Sequence, residues 1–419
     1  RVIFAYKVGE VSYLDSPWVE NGKFVSVVTP RDQHPMKDWL TGGEPQWPQE
    51  IVTKIKLGDE SPYAIDTIEL PWDNPWNAPI FCGDHDFLPD GSVLVCTMQG
   101  DVWHGKGVSM ANNGEQPVIW RRFAAGLHHA LGLKVTSQGI FVLGRDQITR
   151  LHDLNQDGEA DFYECFSNAY ETSAAGHDFI CGLQQDAQGN FYIASGNQGI
   201  VRISPDGKSA TVIAEGFRNP DGLGIHPDGF ITVPCSEGEW TPTSMICRVP
   251  TEPHEPIPFN GYRGAKFTQR PIEKPVLSMA FIPRGLDNSA GGQVYVDSDR
   301  WGPLAGQMIH LSFGAGSHFL LLQDEVEGVA QGAIVPLRGE FRSGVHRGRF
   351  NAVDGQLYVS GMGGWGTYTT DFGCLQRVRY TGTPVQLPVS IRAHQNGVAI
   401  RFSEKLDRKV AEDVQAHFA

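Results

Sequence analysis

The sequence predicts an all-β fold made of a repeated unit, and three observations carry that prediction. The 419 residues include 49 glycines and 27 prolines, a turn-rich composition. Long helical patterns are scarce beside these turns. One pattern, a glycine-centred turn followed by an alternating β run and a second turn, returns six times. It reads DGSVLVCTMQGDVW from Asp90, QGIFVLGRDQITRL from Gln138 and QGNFYIASGNQGIVRI from Gln188. It continues as DGFITVPCSEGEW from Asp228, GGQVYVDSDRWGPLAGQMIHL from Gly291 and DGQLYVSGMGGWGTYTTDFGCLQRVRY from Asp354.

The leading glycines are Gly91, Gly139, Gly189, Gly229, Gly292 and Gly355, at intervals of 48, 50, 40, 63 and 63. Each run carries β-branched or aromatic residues at period two, bounded by residues that tolerate the positive φ of a tight turn. A four-stranded propeller blade takes about 40–50 residues. The expected architecture is therefore a six-bladed β-propeller over residues 51–387, with all six glycines in equivalent inter-strand turns. A strand near Ile65–Leu70 is placed to complete the last blade and close the ring.

The two ends read differently. Residues 1–50 mix Trp18, Trp39 and Trp47 with Pro45 and Pro48 without clear periodicity, which predicts an irregular N-terminal extension. From residue 388 to 419 the run beginning Val389-Ser390-Ile391 resembles the opening hairpin of an immunoglobulin-like module, the start of a further, truncated β-module.

Composition bounds the function. Asp plus Glu number 48 against 34 Lys plus Arg, a formal charge of −14, which argues against nucleic acid or an anionic membrane as partner. No apolar run is long enough to span a bilayer, and no leader pattern opens the sequence. The seven cysteines form no Cys-x-x-Cys motif, so a zinc or c-type haem site is not expected. Cys82 and Cys96 flank one turn and Cys235 and Cys247 another, so either pair could be a disulfide or two buried apolar thiols.

Three polar sites precede recurrent strands. Arg218-Asn219-Pro220 sets a guanidinium and an amide at an inner strand's entrance, donors suited to an anionic, quinone-like ligand. His177 precedes Gly182-Leu183, and His128-His129 precede Gly132-Leu133, in a similar relation to their strands. Equivalent entrances converge on one mouth of a ring, where Arg347 and Arg349 are also expected. Taken singly, each of these side chains is more often structural than catalytic.

A separate motif runs from Asp153 to Glu164. Asp153, Asn155 and Asp157 at alternate positions, Gly158 at the sixth, Asp161 at the ninth and Glu164 at the twelfth match a calcium loop. The flanking helices of an EF-hand are missing, so the alternative is an acidic turn between strands.

Arg218-Asn219-Pro220 with Gly222-Leu223, a strand and then Ser236-Glu237-Gly238 resembles the soluble aldose dehydrogenases that use pyrroloquinoline quinone. His177 before Gly182-Leu183, the Gly189 turn and Tyr192–Gly199 is similar to that family's catalytic-histidine blade. The resemblance extends over roughly residues 75–385 and is nearest to the sorbosone dehydrogenase-like propellers that bacteria export, often upstream of a cytochrome c module. It implies a six-bladed propeller, a periplasmic or secreted location, calcium-assisted quinone binding and oxidation of a sugar or small-alcohol hydroxyl, with a cytochrome c domain as electron acceptor. It further implies His177 as general base, Arg218 polarising the quinone carbonyl, Asn219 on the cofactor, and Glu237 and Gly238 at a cofactor-bridging calcium. The chain departs from the family at Glu239, where proline is usual, and in having no lysine between Lys274 and Lys405. Arg347, Arg349 and Arg300 are the candidates to replace that cation. Fold alone leaves two other readings open: a calcium-dependent polysaccharide lyase or lactonase, and a non-catalytic propeller that binds glycans or partner domains.

Overall fold

The structure, a computed structural model, describes residues 2–109, 116–174, 178–238, 242–264, 274–364 and 366–412. Among these, six antiparallel sheets of four or five strands follow one another along the chain. The first comprises Cys82–Phe87, Val93–Thr97, Val102–Lys106 and Val118–Ala124, and the second Gly132–Thr136, Gly139–Leu143, Ile148–His152 and Phe162–Ser167. The third runs Ile180–Gln185, Phe191–Ser195, Gly199–Ile203 and Ala210–Ala214, and the fourth Gly224–His226, Phe230–Cys235, Met245–Pro250 and Ala280–Phe281. The fifth contains Ala290–Tyr295, Met308–Ser312, Ser317–Val326 and Val329–Pro336, and the sixth Gly344–Phe350, Leu357–Met362 and Gly373–Tyr380.

The sheets stack face to face, and this explains why their second strands are buried at nearly every position. In Val93–Thr97 all five residues are buried. Val93 and Val95 pack with Tyr358 and Leu375 of the sixth sheet, whereas Leu94 and Cys96 pack with Leu133 and Val142 of the second. Period-two alternation thus feeds two interfaces at once. Each such side chain contributes about 1.5–3 kcal/mol of burial.

Closure uses the segment that precedes the first sheet. Tyr63–Ile68 pairs antiparallel with Gly373–Tyr380, as the sequence predicts, and Ile55–Lys56 adds a further strand outside it. Ile51–Thr53 instead pairs with Val118–Ala124 at the outer edge of the first sheet. Buried Asp66 locks the seam. Its carboxylate accepts from Arg377 Nε at 2.8 Å and from Arg379 Nε and Nη2 at 2.9 and 3.0 Å.

Four of the six recurrent glycines lie between the first and second strands of their sheets, and Gly139 is the first residue of its second strand. Gly91, Gly139, Gly189, Gly229 and Gly355 have φ of +81°, +139°, +87°, +83° and +68°, a backbone that favours glycine. Gly292 is the exception: it lies inside the strand Ala290–Tyr295, and the corresponding connection contains Gly306 at φ +83°. The Gly-Gly pair before Gln293 meets a different need, close approach of backbones at the axis.

The N-terminal region corrects the expected irregular extension. Phe4–Val8, Val11–Glu20 and Lys23–Pro30 form a three-stranded antiparallel sheet. Its second hairpin turns at Asn21-Gly22, with φ of +51° and +73°, the sequence signature of a two-residue hairpin. At the other end, Pro388–His394 and Gly397–Phe402 form the expected hairpin, anchored to the fifth sheet where Asp324 accepts from Arg392 Nη1 and the Ala393 amide. All seven cysteines are free. Cys82 pairs with Thr97 rather than Cys96, and Cys235 with Met245 rather than Cys247, so neither candidate pair is directly cross-strand.

Candidate functional site

One end of the ring holds a cup of about 250 Å³. Five sheets build its rim with the same backbone contact, in which the amide just past the second strand donates to a carbonyl just before the first. The donors are Met98, Arg145, Gly196, Ser236 and Gly314, and the acceptors are Phe81, His128, Phe179, Arg218 and Ser289, all at 2.9–3.1 Å. His128 and Arg218 therefore occupy equivalent rim positions, as their sequence context predicts. The second and fourth sheets each carry an additional residue there, His129 at φ +49° and Asn219 at φ +45°.

Phe179, Phe313, Met98 and Met362 form the apolar part of the wall, and Arg218, Asn219, Ser236, Asn288 and Ser289 the polar part. Arg218 is half-buried, with Nη1 donating to the Glu237 carbonyl at 2.6 Å and the rest of its fork toward the cup. His128 is exposed on the rim. His129 stacks toward Phe179 at 6.5 Å, and burial with neighbouring His128 and Arg145 pushes its pKa below the ordinary histidine value. His177 lies outside the described residues; Phe179, two positions later, lines the cup.

The floor is made by residues that sequence reasoning did not single out. Cys181, Asp221 and His346 lie there. His346 Nδ1 is 3.1 Å from Asp221 Oδ2, and Nε2 is 3.0 Å from the Cys82 carbonyl. Burial pushes the Asp221 carboxyl up, but His346 and Arg347 outweigh it and hold the group well below the usual carboxylate range. Burial and then Asp221 push the Cys181 thiol far up, so it is no nucleophile. A recurring x-Gly pair at strand entrances (Leu131-Gly132, Cys181-Gly182, Asp221-Gly222) was the available signal.

Arg347 and Arg349 sit beneath this floor. Arg347 Nη2 donates to the Leu131 carbonyl at 2.8 Å, and Nη1 to the carbonyls of His346 and Asp221 at 2.8 and 3.0 Å. Arg349 Nη2 is 3.2 Å from Asp84 Oδ2 and 3.2 Å from the Leu183 carbonyl. Both guanidiniums are already bonded within the protein, which corrects the expectation that they stand free at the mouth. Arg300 follows the far end of its strand and donates to the carbonyls of Ala352 and Val353 at 2.7 and 2.9 Å, away from the cup.

The expected metal ligands separate into two groups. The Glu237 carboxylate pairs with Arg284 at 2.7 Å, and Gly238 packs near Tyr262. In the acidic loop, Asp153 accepts from the amides of Asp157 and Gly158, Asp157 from Glu159, and Asp161 from Leu154 and Gly43. Asn155 Nδ2 donates to the Gly43 carbonyl at 2.7 Å, so the loop clasps the N-terminal segment. Glu164 is turned away, held by His152 Nε2 at 2.7 Å with Arg150 beyond. Among the described residues no three His, Cys, Asp or Glu side chains gather as a metal site.

No family profile and no curated protein matches the chain. Solved structures do. The PQQ domain of pyranose dehydrogenase from Coprinopsis cinerea, in its holo form, aligns with a TM-score of 0.52 at 10% identity, covering 80% of this chain and 98% of that one. The PQQ-bound aldose sugar dehydrogenase of Streptomyces coelicolor aligns at 0.50 and 13%, covering 79% and 99%. A calcium structure of a Trichoderma reesei carbohydrate-active enzyme of family AA12 aligns at 0.53 and 11%, covering 81% and 99%. At these identities the likeness establishes fold, and the resemblance read from the sequence is borne out at that level: the chain has the all-β propeller fold of the soluble PQQ-dependent sugar dehydrogenases.

Proposed function

We propose that the six sheets are the blades of a six-bladed propeller and that the cup is the active site of a quinone-dependent oxidoreductase acting on a sugar or alcohol hydroxyl. The observation that carries this reading is the cup's lining: apolar and aromatic walls opposite Arg218, Asn219, Ser236, Asn288 and Ser289. A planar, anionic quinone needs both, flat apolar contact for its rings and donors for its oxygens. The fit rests on Arg218 as the guanidinium that lines the cup, since Arg347 and Arg349 are held beneath its floor by carbonyls and carboxylates. When bound, pyrroloquinoline quinone would supply the two-electron acceptor that the chain's own side chains lack. Arg218 and Asn219 would orient it, Asp221 would accept a hydrogen bond from a donor entering above the floor, and His177 would take the proton of the substrate hydroxyl.

The test is a pair of variants. His177→Ala is expected to cut dye-linked sugar oxidation by roughly 10²–10⁴-fold while leaving quinone affinity nearly intact. Arg218→Ala should weaken quinone binding and rate together, with the melting temperature unchanged. Absence of quinone binding in the wild type at saturating calcium would overturn the reading and move a glycan-binding propeller ahead of it.

We also propose calcium at Asp153, Asn155, Asp157 and Asp161, without Glu164. Support comes from their alternate spacing around Gly158, and from Asp153 and Asp161 oxygens that each keep a lone pair after accepting one amide. Chelation should lower the melting temperature and loosen residues 42–47, read by proteolysis. Identical melting with and without chelator would make the loop an ordinary acidic turn.

A further inference from the structure

The cup does not stand alone on its face of the ring. At the closure between the first and sixth sheets lies a groove of about 460 Å³, and Trp72 forms part of its wall. Trp72 is 44% exposed, and the segment carrying it is pinned by buried Asn74, whose Nδ2 donates to the carbonyls of Pro71 and Ala78 at 3.0 and 2.9 Å. The indole lies against Gly373, where an added Cβ would stand 3.4 Å from the ring. Next to Gly373 is Phe372, 68% exposed, whose ring is 5.7 Å from that of Phe81. Phe81 packs in turn against the apolar cluster of Phe313 and Met362 that walls the cup. Tyr368, 78% exposed, bonds through its amide to Gly314, beside Phe313. A series of exposed aromatic side chains thus marks a track from cup to groove.

Two ion pairs line the groove, with exposed Asp73 beside them, a lining that disfavours an acidic chain. Lys56 Nζ is 2.7 Å from Glu69 Oε1, and Arg342 Nε is 2.6 Å from Asp371 Oδ2. Paired charges offer little net attraction to an ion yet still donate to and accept from hydroxyls. Exposed aromatic faces beside such groups suit a ring with one apolar C–H face and equatorial hydroxyls.

We infer that the track from Phe81 and Phe372 to Trp72 is an extended binding site for a neutral glycan chain, so that the substrate class is an oligo- or polysaccharide whose end reaches the cup. The inference rests on the proposed sugar-oxidising reading for the role of the cup, and its test needs neither quinone nor turnover. Titration calorimetry would compare disaccharides and hexasaccharides of β-1,4-glucose, α-1,4-glucose, β-1,4-mannose and β-1,4-xylose, with a hexasaccharide of galacturonic acid as the charged control. At least one neutral hexasaccharide should bind roughly tenfold more tightly than its disaccharide. Trp72→Ala, and independently the exposed Phe372→Ala and Tyr368→Ala, should erase that length advantage while leaving disaccharide affinity unchanged. Equal affinities for long and short chains across the panel, no binding of any neutral chain, or tightest binding of the acidic control would overturn the inference. So would a length advantage that survives all three substitutions. A length advantage in a protein that never binds quinone would sink the dehydrogenase reading and leave this site standing.

Discussion

Around the axis, four sheets and the two that meet at the closure are built differently. The second to fifth sheets bring a glycine followed by an uncharged residue to the axis, at Gly132, Gly182, Gly222 and Gly292, whereas in the first Gly83 is followed by Asp84 and the sixth brings Arg347. The glycines are space requirements. A Cβ on Gly222 would lie 2.9 Å from Arg347 Nη1, and one on Gly182 2.8 Å from the Gly222 Cα. Four sheets make room; two fill the room with charge. The same two sheets carry the Asp66 pairs at their outer strands and His85, whose Nδ1 is 2.7 Å from Ser360 Oγ. Every interface between sheets has an apolar core, but at the closure that core is flanked by buried ion pairs. Those pairs specify which edge meets which, because misregistering them would strand charge in the interior.

The largest expected effect tests that specification. Asp66→Ala leaves the fully buried Arg377 guanidinium without its carboxylate and should cost about 3–5 kcal/mol, read by urea unfolding. A loss no larger than that of an exposed substitution would mean the closure is apolar like the other interfaces. On the glycine side, Gly182→Ala combines φ +62° with a backbone contact under 3 Å and should cost about 2–3 kcal/mol. Gly126→Ala, with φ +86° and open space around it, isolates the conformational part at about 1–2 kcal/mol. Equal losses at the two positions would break the space argument.

The last effect is graded by pH. Burial, and then Arg349, push His85 down to about 3, so the folded protein keeps it neutral while the unfolded chain protonates it near 6.5. Stability from this group is complete above about pH 6.5 and falls as pH drops toward about 3, by up to about 1.4 kcal/mol per pH unit. Burial gives His318 and His104 the same direction, each to about 4. His85→Gln should flatten the slope of unfolding free energy against pH over that window. An unchanged slope would place His85 in contact with solvent.

The turns and strands were legible because their signals are local. Gly91, Gly139, Gly189, Gly229 and Gly355 each sit beside an alternating run, and turn and run lie within a dozen residues. Gly292 misled because Gly-Gly-Gln-Val-Tyr-Val has the same local form as Asp-Gly-Gln-Leu-Tyr-Val, while its reason lies in the neighbouring sheet, at the His346 carbonyl, 2.6 Å from where a Cβ would stand. In the N-terminal region Asn21-Gly22 carried the hairpin signal, masked by the tryptophans and prolines around it. The rim position of Arg218 was legible from its repeat context, and His128 shares it. Asp221 and His346 were not, because they stand 125 residues apart and the Asp221-Gly222 pair carries no sign of its distant partner. Only the ring brings them within a hydrogen bond. For the same reason Arg347 and Arg349 looked like free cations until their carbonyl acceptors, drawn from three other sheets, were in place.

The stitching of the closure has a consequence for how the molecule assembles. Tyr63–Ile68 is made about three hundred residues before its partner Gly373–Tyr380. The five sheets in between can form from neighbours in sequence, but this one pairing must wait until that partner has been made, the kind of long-range contact that slows folding. Until then the strand's edge toward Gly373–Tyr380 is open and the Asp66 carboxylate lacks its arginine partners, and an open edge of this kind invites pairing with another chain. The nascent protein is thus most exposed to misassembly through the very strand that later seals it.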